Sequence, residues 1–377
     1  MKLFHLSDLH LGKRLKEISL IDDQKYILKE IFTAASREKP DGILIAGDIY
    51  DRSVPSEEAM KLWDDFLVSL AEKKIPVFVV SGNHDSAIRL ADHSELVDMA
   101  GIHFSPVYDG NVKCCVLKAG EETVNIYMLP FIKPAVVRSF FPDEEISDYT
   151  DACRVALSQV NIDSSATNIL MAHQFVTGAE RCESEEVVVG GLDNVNADVF
   201  DAFDYVALGH IHGKQHIKRE TVRYCGTPLK YSFSEKNHHK SITVVNIKEK
   251  EITLDEIPLT PMHDLREIKG TYEELTAKEN YENTDTKDYI HAILTDEDDV
   301  IDAMGKLRVI YPNILQITYD NTRTKERKEI SGIENVKEKT PVELFGELFE
   351  KQNNKPMSDE QRKFITECIE KVWGEKK

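Results

Sequence analysis

The stretch Val77-Phe78-Val79-Val80-Ser81-Gly82-Asn83-His84-Asp85 decides the fold. Four apolar residues in a row fit a strand covered on both faces, as in parallel sheets sheathed by helices. The run then breaks into a polar turn carrying an amide, an imidazole and a carboxylate. The same event recurs on either side of it. Leu3–Leu6 runs into Ser7-Asp8-Leu9-His10, and Ile43–Ala46 runs into Gly47-Asp48. Ile169–Ala172 runs into His173, and Tyr205–Leu208 into Gly209-His210-Ile211-His212. Five apolar strands each deliver Asp, Asn or His at the carboxyl end, the edge where open α/β sheets bind ligands.

Helical periodicity fills the gaps. Ile27, Leu28, Ile31 and Ala35 share one face, as do Trp63, Phe66, Leu67 and Leu70, with Pro55, Glu57 and Glu58 marking the start of the second helix. Strand and helix alternate, so a layered α/β fold is expected. Further β signals at Val112–Leu117, Val124–Leu129, Val222–Cys225, Ile242–Ile247 and Ile252–Ile257 predict a second sheet packed on the first. The motifs stop near Leu259–Asp264. A small β-α-β-α-β pattern follows, with strands Leu265–Lys269, Tyr289–Leu294 and Ile314–Tyr319 and helices near Tyr272–Ala277 and Val300–Leu307. This divides the chain into a main domain 1–262, a small α+β domain 263–320, a charged linker 321–339 and a helical tail 340–377. In the tail, Thr340-Pro341-Val342-Glu343 and Ser358-Asp359-Glu360-Gln361 both have the form of a capping box.

Bulk properties exclude several classes. With 377 residues and 41% hydrophobic content the chain is globular and large enough for more than one core. No run of about 18 apolar residues exists, so no membrane span is expected. The first residues enter a strand at once and lack a signal-peptide pattern. The six cysteines, Cys114, Cys115, Cys153, Cys182, Cys225 and Cys368, form no CxxC pair. They are expected to be free thiols in a cytoplasmic chain. The net charge of −20 argues against a broad basic footprint for nucleic acid. Any attraction for phosphate must come from metals or from a partner.

Each polar motif has a bland reading. An Asp-x-His pair after a strand is most often a turn feature, since Asp favours such positions. A His-x-His pair carries more, because alternate residues of an extended chain point the same way. Five such arrivals on strand ends make a purely structural origin improbable. The donor set is nitrogen and oxygen without thiolate, which suits Mn²⁺, Fe or Zn²⁺. The set is large enough for two ions, and two ions about 4 Å apart can clamp a phosphate and activate water. Two divalent cations also outweigh the carboxylates Asp8 and Asp48 and leave a locally positive cleft.

In this order, Asp8-x-His10, Gly47-Asp48, Gly82-Asn83-His84-Asp85, His173 and Gly209-His210-x-His212 resemble the calcineurin-like metallophosphoesterases. The resemblance covers roughly the first 215 residues and implies a four-layer αββα sandwich with a dinuclear centre. Stretches without a metal role are similar to the SbcD family of nuclease subunits. They are Ser7 to Gly12, Gly82 through Leu90, Gly190-Gly191-Leu192-Asp193, Asp204 to His210, and Gly226-Thr227-Pro228-Leu229-Lys230-Tyr231-Ser232-Phe233-Ser234-Glu235. Lys214 departs from a proline common in that family.

The resemblance implies roles. Asp8, His10, Asp48 and His212 would hold one ion; Asp48, Asn83, His173 and His210 would hold the other, with Asp48 bridging. The ions would be two divalent cations, Mn²⁺ first among them. His84 would stand at the scissile phosphate as a positioned imidazole. Asp85 would hydrogen-bond that ring and fix its tautomer. The small domain would cap the site. The tail would be a helix-loop-helix that docks on an SbcC-like coiled-coil ABC ATPase. The main domain would form a homodimer through Met60, Trp63, Phe66, Leu67, Leu70, Leu96, Val97 and Met99. The implied activity is a DNA exonuclease on double strands and an endonuclease on single strands and hairpins, acting on DNA ends in repair and recombination. A stand-alone phosphatase or nucleotide phosphodiesterase on the same site, and a DNA-end tether with vestigial chemistry, are the competing readings.

Overall fold

The computed structural model describes residues 1–92, 94–185, 193–322, 324, 340–353 and 356–374. Most of the expected linker, the glycine pair at 190 and 191, Leu192, and the side chains of Val372 and Trp373 lie outside the described residues. The described residues fall into two compact units, one within 1–185 and 194–319, the other within 186–193 and 320–377.

The larger unit is built on two six-stranded sheets. In the first, the order is Glu251–Pro258, Ser241–Lys248, Lys2–Leu6, Gly42–Ala46, Val77–Val80, Ile102–Phe104. In the second it is Gln215–Ile217, Arg219–Tyr224, Tyr205–Gly209, Thr167–His173, Glu122–Met128, Lys113–Ala119. The central strands of each run parallel. Alternation along them sorts three apolar layers. Leu3, Leu44, Phe78 and Val245 of one sheet meet Ile126, Ile169, Met171 and Ala207 of the other. Phe4, Ile43, Ile45 and Val79 point outward onto helices Ile21–Glu38 and Glu57–Glu72. Leu170, Ala172, Val206 and Leu208 point onto helix Tyr149–Ser158. The result is the expected αββα sandwich.

Four expectations change. The five motif-bearing strands do not share one sheet: three belong to the first and two to the second. Ile242–Ile247 and Ile252–Ile257 join the first sheet rather than the second. Strands buried on both faces read as uniform apolar runs, so periodicity cannot assign them to a sheet. Trp63, Phe66, Leu67 and Leu70, expected at a dimer face, are instead buried against their own sheet. Only Met60, Leu96 and Met99 of that set remain exposed, and Val97 packs on the same core. The helix starts at Glu57 under a Ser56 cap whose side chain accepts from the Ala59 amide, so Pro55 precedes the cap.

The small sheet, Leu265–Gly270, Tyr289–Leu294 and Ile314–Tyr319, is wholly parallel and has its own core around Ile290, Leu294, Leu307 and Tyr311. Leu265 and Tyr289 also enter the core that holds Ile27 and Leu28. The Tyr289 hydroxyl donates to Asp23 at 2.7 Å.

In the second unit, helices Pro341–Asn353 and Asp359–Gly374 form the expected pair. Both capping boxes are made: Thr340 with Glu343 at 2.7 and 2.9 Å, and Ser358 with Gln361 at 2.9 and 3.3 Å. Phe345, Leu348 and Phe364 stay exposed. Among the described residues no helix is long and apolar enough to cross a membrane, and all six cysteines are free.

Candidate metal centre

The carboxyl ends of the two sheets meet, and their polar turns interleave. Asp8 donates its amide to the Gly47 carbonyl at 2.9 Å, and His10 to that of Asp48 at 3.0 Å. The Asp8 carboxylate accepts the His210 amide of the other sheet at 3.0 and 3.1 Å. His173 Nδ1 lies 2.8 Å from the Ala46 carbonyl oxygen of the first sheet. This crossing is tight. A Cβ on Gly209 would sit 1.8 Å from the Ala46 oxygen, so only glycine lets the two edges meet there. Asp8, His10, Asp48 and His210 all take positive φ, between 44° and 102°. Such backbone costs roughly 1–3 kcal/mol at each residue and clusters where function over-determines it.

All seven expected ligands converge. His10 Nε2 faces His212 Nε2 at 3.2 Å. His173 Nε2 and His210 Nδ1 both face Asn83 Oδ1, at 3.0 and 2.9 Å. Asp48 Oδ2 lies between these sets, 3.7 Å from His10 Nε2 and 3.3 Å from His173 Nε2. Asp8, His10 and His212 form one group of ligand spacing; Asp8, Asp48 and His173 form a second; His10, Asp48 and His84 a third.

The electrostatics fit a cation. Burial holds His10 and His210 well below the ordinary imidazole range, so their rings are neutral donors of lone pairs. Burial also pushes the Asp8 carboxyl up. For Asp48, burial opposes ionisation, but the His173 and neighbouring rings overcome it and hold the carboxyl well below its usual range. His173 Nδ1 faces a carbonyl, which only accepts, so that nitrogen carries the proton. Its Nε2 then faces two more acceptors, Asn83 Oδ1 and Asp48 Oδ2. Such lone pairs repel unless a positive charge joins them. Burial lowers the basicity of this ring, but Asp48 outweighs burial and raises its pKa to about 9, so a proton stands where a cation fits. The clusters are compatible with a dinuclear metal site.

His84 and Asp85 are arranged differently from expectation. Asp85 accepts three backbone amides, from Ile49 at 3.1 Å, Tyr50 at 3.0 Å and Gly82 at 2.9 Å. Its carboxylate ties the Asp48 loop to the Gly82 loop and does not orient the ring. Burial, aided by the Asp48 charge, raises it to about 6. His84 Nδ1 lies instead 3.0 Å from the Asp51 carbonyl oxygen, and its Nε2 reaches to 3.9 Å from Asp48 Oδ2. The Asp51 carboxylate is 3.8 Å from His10 Nδ1 and 2.8 Å from Lys13 Nζ.

Sequence reasoning therefore missed Asp51, although it stands three residues after Asp48. It also missed Ser184, Glu185 and Lys240. Glu185 accepts the His212 amide at 2.7 Å. Glu235, quoted only as the end of a family-like run, is fully buried and lies 3.5 Å from His212 Nδ1. Gln24 donates to the His10 carbonyl at 2.7 Å. None of these contacts has a local spacing that would announce it.

The chain is similar to known proteins. Residues 1–214 match the model described as calcineurin-like phosphoesterase, and residues 261–353 match that of the type 5 capsule protein repressor C-terminal domain. The chain is 35% identical to the SbcD subunit of the SbcCD nuclease from Staphylococcus epidermidis, over 88% of this chain and 89% of that protein. It is 34% identical to the same subunit from Staphylococcus saprophyticus, over 92% of each. Among solved structures, a dimetal phosphatase from Danio rerio aligns with a TM-score of 0.37 at 9% identity, covering 69% of this chain and 98% of that one.

Proposed function

We propose, on the premise that this chain belongs to the SbcD family of calcineurin-like phosphoesterases, that it is the metal-dependent DNA-cleaving subunit of a two-protein complex. One observation carries the chemistry: a single carboxylate oxygen, Asp48 Oδ2, faces both ligand sets. A carboxylate shared between two imidazole-rich sets would suit a pair of divalent ions, and such a pair can clamp a phosphate. Asp8, His10, Asp48 and His212 would hold one divalent ion, and Asp48, Asn83, His173 and His210 the other. Mn²⁺ suits these mixed nitrogen and oxygen donors. When bound, such a pair polarises the phosphodiester and lowers the pKa of the attacking water.

The chain's own groups do the rest. Asp85 locks the two loops that carry Asp48 and Asn83. The Asp51 carbonyl holds the proton of His84 on Nδ1 and aims Nε2 toward the centre. From there the ring orients the scissile phosphate or assists the leaving oxygen. The substrate is DNA at ends and hairpins, and the partner is an SbcC-like ATPase gripped by the two C-terminal helices. The exposed Phe345, Leu348 and Phe364 support that docking. The exposed Met60, Leu96 and Met99 are what remains to support a homodimer; sedimentation of the full chain as a monomer at micromolar concentration would remove it.

Linear duplex DNA and p-nitrophenyl phosphate, digested side by side with Mn²⁺, test the proposal. Cleavage of DNA is expected. Turnover of the small ester alone would favour a stand-alone phosphatase, and turnover of neither would leave a tether.

A further inference from the structure

A chain of hydrogen bonds runs away from the centre behind His212. Lys240 Nζ lies 2.5 Å from Glu235 Oε2. Ser184 Oγ donates to Glu235 Oε1 at 2.6 Å and lies 2.8 Å from His212 Nδ1. The Tyr231 amide donates to Glu235 at 3.1 Å. A serine hydroxyl has one proton, and a carboxylate can only accept it. That proton is therefore spent on Glu235. Toward His212 the serine oxygen can only accept, so His212 Nδ1 must donate. A neutral ring protonated at Nδ1 carries its lone pair on Nε2, the atom that faces His10 Nε2.

The opposite half of the centre is set differently. There a main-chain carbonyl, that of Ala46, fixes the His173 tautomer. One half thus depends on backbone and the other on three side chains. The His212 amide is held independently of them by the Glu185 carboxylate at 2.7 Å, while Lys240 also donates to the His212 carbonyl at 3.0 Å.

We propose that Glu235 is the positioning residue of His212, acting through Ser184 and anchored by Lys240, and that it governs ion binding at the Asp8–His10–His212 half alone. Lys240 and the Tyr231 amide both donate to the Glu235 carboxylate, which keeps it an acceptor toward Ser184. Outer partners that fix a ligating imidazole commonly contribute about 10- to 100-fold in metal affinity. The inference rests on the two-ion centre proposed above, and deepens it by making the two sites unequal in their supports.

The test is calorimetric titration of Mn²⁺ into the metal-stripped full chain. Wild type should take up two ions. Ser184→Ala and Glu235→Gln should each weaken one ion by about 10- to 100-fold and leave the other unchanged. Ser184→Thr, which keeps the hydroxyl, should restore both. Ser184 is only half-buried, so its alanine variant reads the network even where the buried Glu235→Gln fails to fold. Unchanged binding of both ions in Ser184→Ala, or equal loss of both, overturns the inference. Failure of wild type to bind two ions would instead overturn the centre itself, and the two failures are distinguishable.

Discussion

Gly82→Ala is the smallest change that should disable the centre. A Cβ at this position would lie 2.1 Å from Asp48 Oδ1, 2.5 Å from the Asp48 amide nitrogen and 2.7 Å from its Cγ. Ordinary contact with carbon needs more than 3 Å or so, so the two loops must part by about 1 Å. They cannot part freely. The Gly82 amide is bound to Asp85, which also holds the Ile49 and Tyr50 amides, and Asp48 Oδ1 accepts the His84 amide at 2.9 Å. The added methyl therefore strains the loops that aim the Asp48 carboxylate and His84 together. Overpacking of this kind costs roughly 1–3 kcal/mol of stability. A misplacement of about 1 Å costs on the order of 10²-fold in rate. Mn²⁺-dependent cleavage of linear duplex should fall by that order, while thermal melting shifts by only a few degrees. Gly120→Ala is the control. Its Cβ would meet nothing within 4 Å, though φ is +61°, so it should cost roughly 1–2 kcal/mol and spare cleavage. A Gly82→Ala protein that cleaves DNA as wild type does would refute the claim that Asp48 must stay where it is.

Asp48→Ala should remove both ions, since one carboxylate faces both sets; retention of either ion by elemental analysis contradicts the bridge. His84→Ala should keep both ions and DNA affinity but lose roughly 10²- to 10⁴-fold in cleavage; one missing ion would make His84 a ligand, as its reach toward Asp48 allows. In the metal-free chain His173 holds a proton up to about pH 9. A raised pKa contributes stability that is full below the unfolded value near 6.5 and lost as pH rises through about 9. Loading metal at pH 8 should therefore release a proton, and affinity should climb toward pH 9; calorimetry in two buffers of different ionisation enthalpy that finds no release rejects this. Deleting residues 338–377 should leave metal-dependent cleavage of short DNA intact and abolish co-purification with the ATPase; undiminished pull-down of the complex argues against docking there.

Much of this centre was legible because strand ends are local. Val77–Val80 announces itself by composition, and Asn83 follows within three residues, so the ligand and its position come from one stretch. The tail helices were legible for the same reason: a capping box is four residues long, and both were formed as read. What failed was long-range. Nothing in Ile242–Ile247 says which of two sheets it joins, because both sheets present apolar residues on both faces. Composition alone favoured core over interface for Trp63 and Leu67, and only the family resemblance tilted the reading toward a dimer face; the helix is core because it covers Ile43 and Ile45. The Asp85 error has another cause. Adjacent residues were assumed to serve one another, whereas the turn points Asp85 at three unsatisfied amides and leaves His84 to a carbonyl from a different loop. Ser184 and Glu235 lie 51 positions apart and could be joined only by the fold.

The acidic charge of the chain can now be weighed against its substrate. Six carboxylates approach the centre among the described residues, but four are already compensated: Asp85 by three amides, Asp51 by Lys13, Glu185 by the Cys182 and His212 amides and Glu235 by Lys240. Only Asp8 and Asp48 remain to face the ions, and two divalent cations exceed them. At physiological salt the screening length is about 8 Å, so the rest of the net charge is largely hidden from a phosphate inside the cleft. It is not hidden from the duplex outside. A chain of net charge −20 offers the flanking phosphates little, and nonspecific DNA affinity depends on how many phosphates are neutralised. The C-terminal helices do not mend this: among their described residues the exposed Arg362 and Lys363 are outnumbered by the exposed Glu343, Glu350, Asp359, Glu360 and Glu367, beside the apolar Phe345, Leu348 and Phe364. Their surface suits a protein. On this argument the chain cuts with its own charge but grips DNA with a partner's, and its affinity for long duplex should rise sharply only when the ATPase is bound.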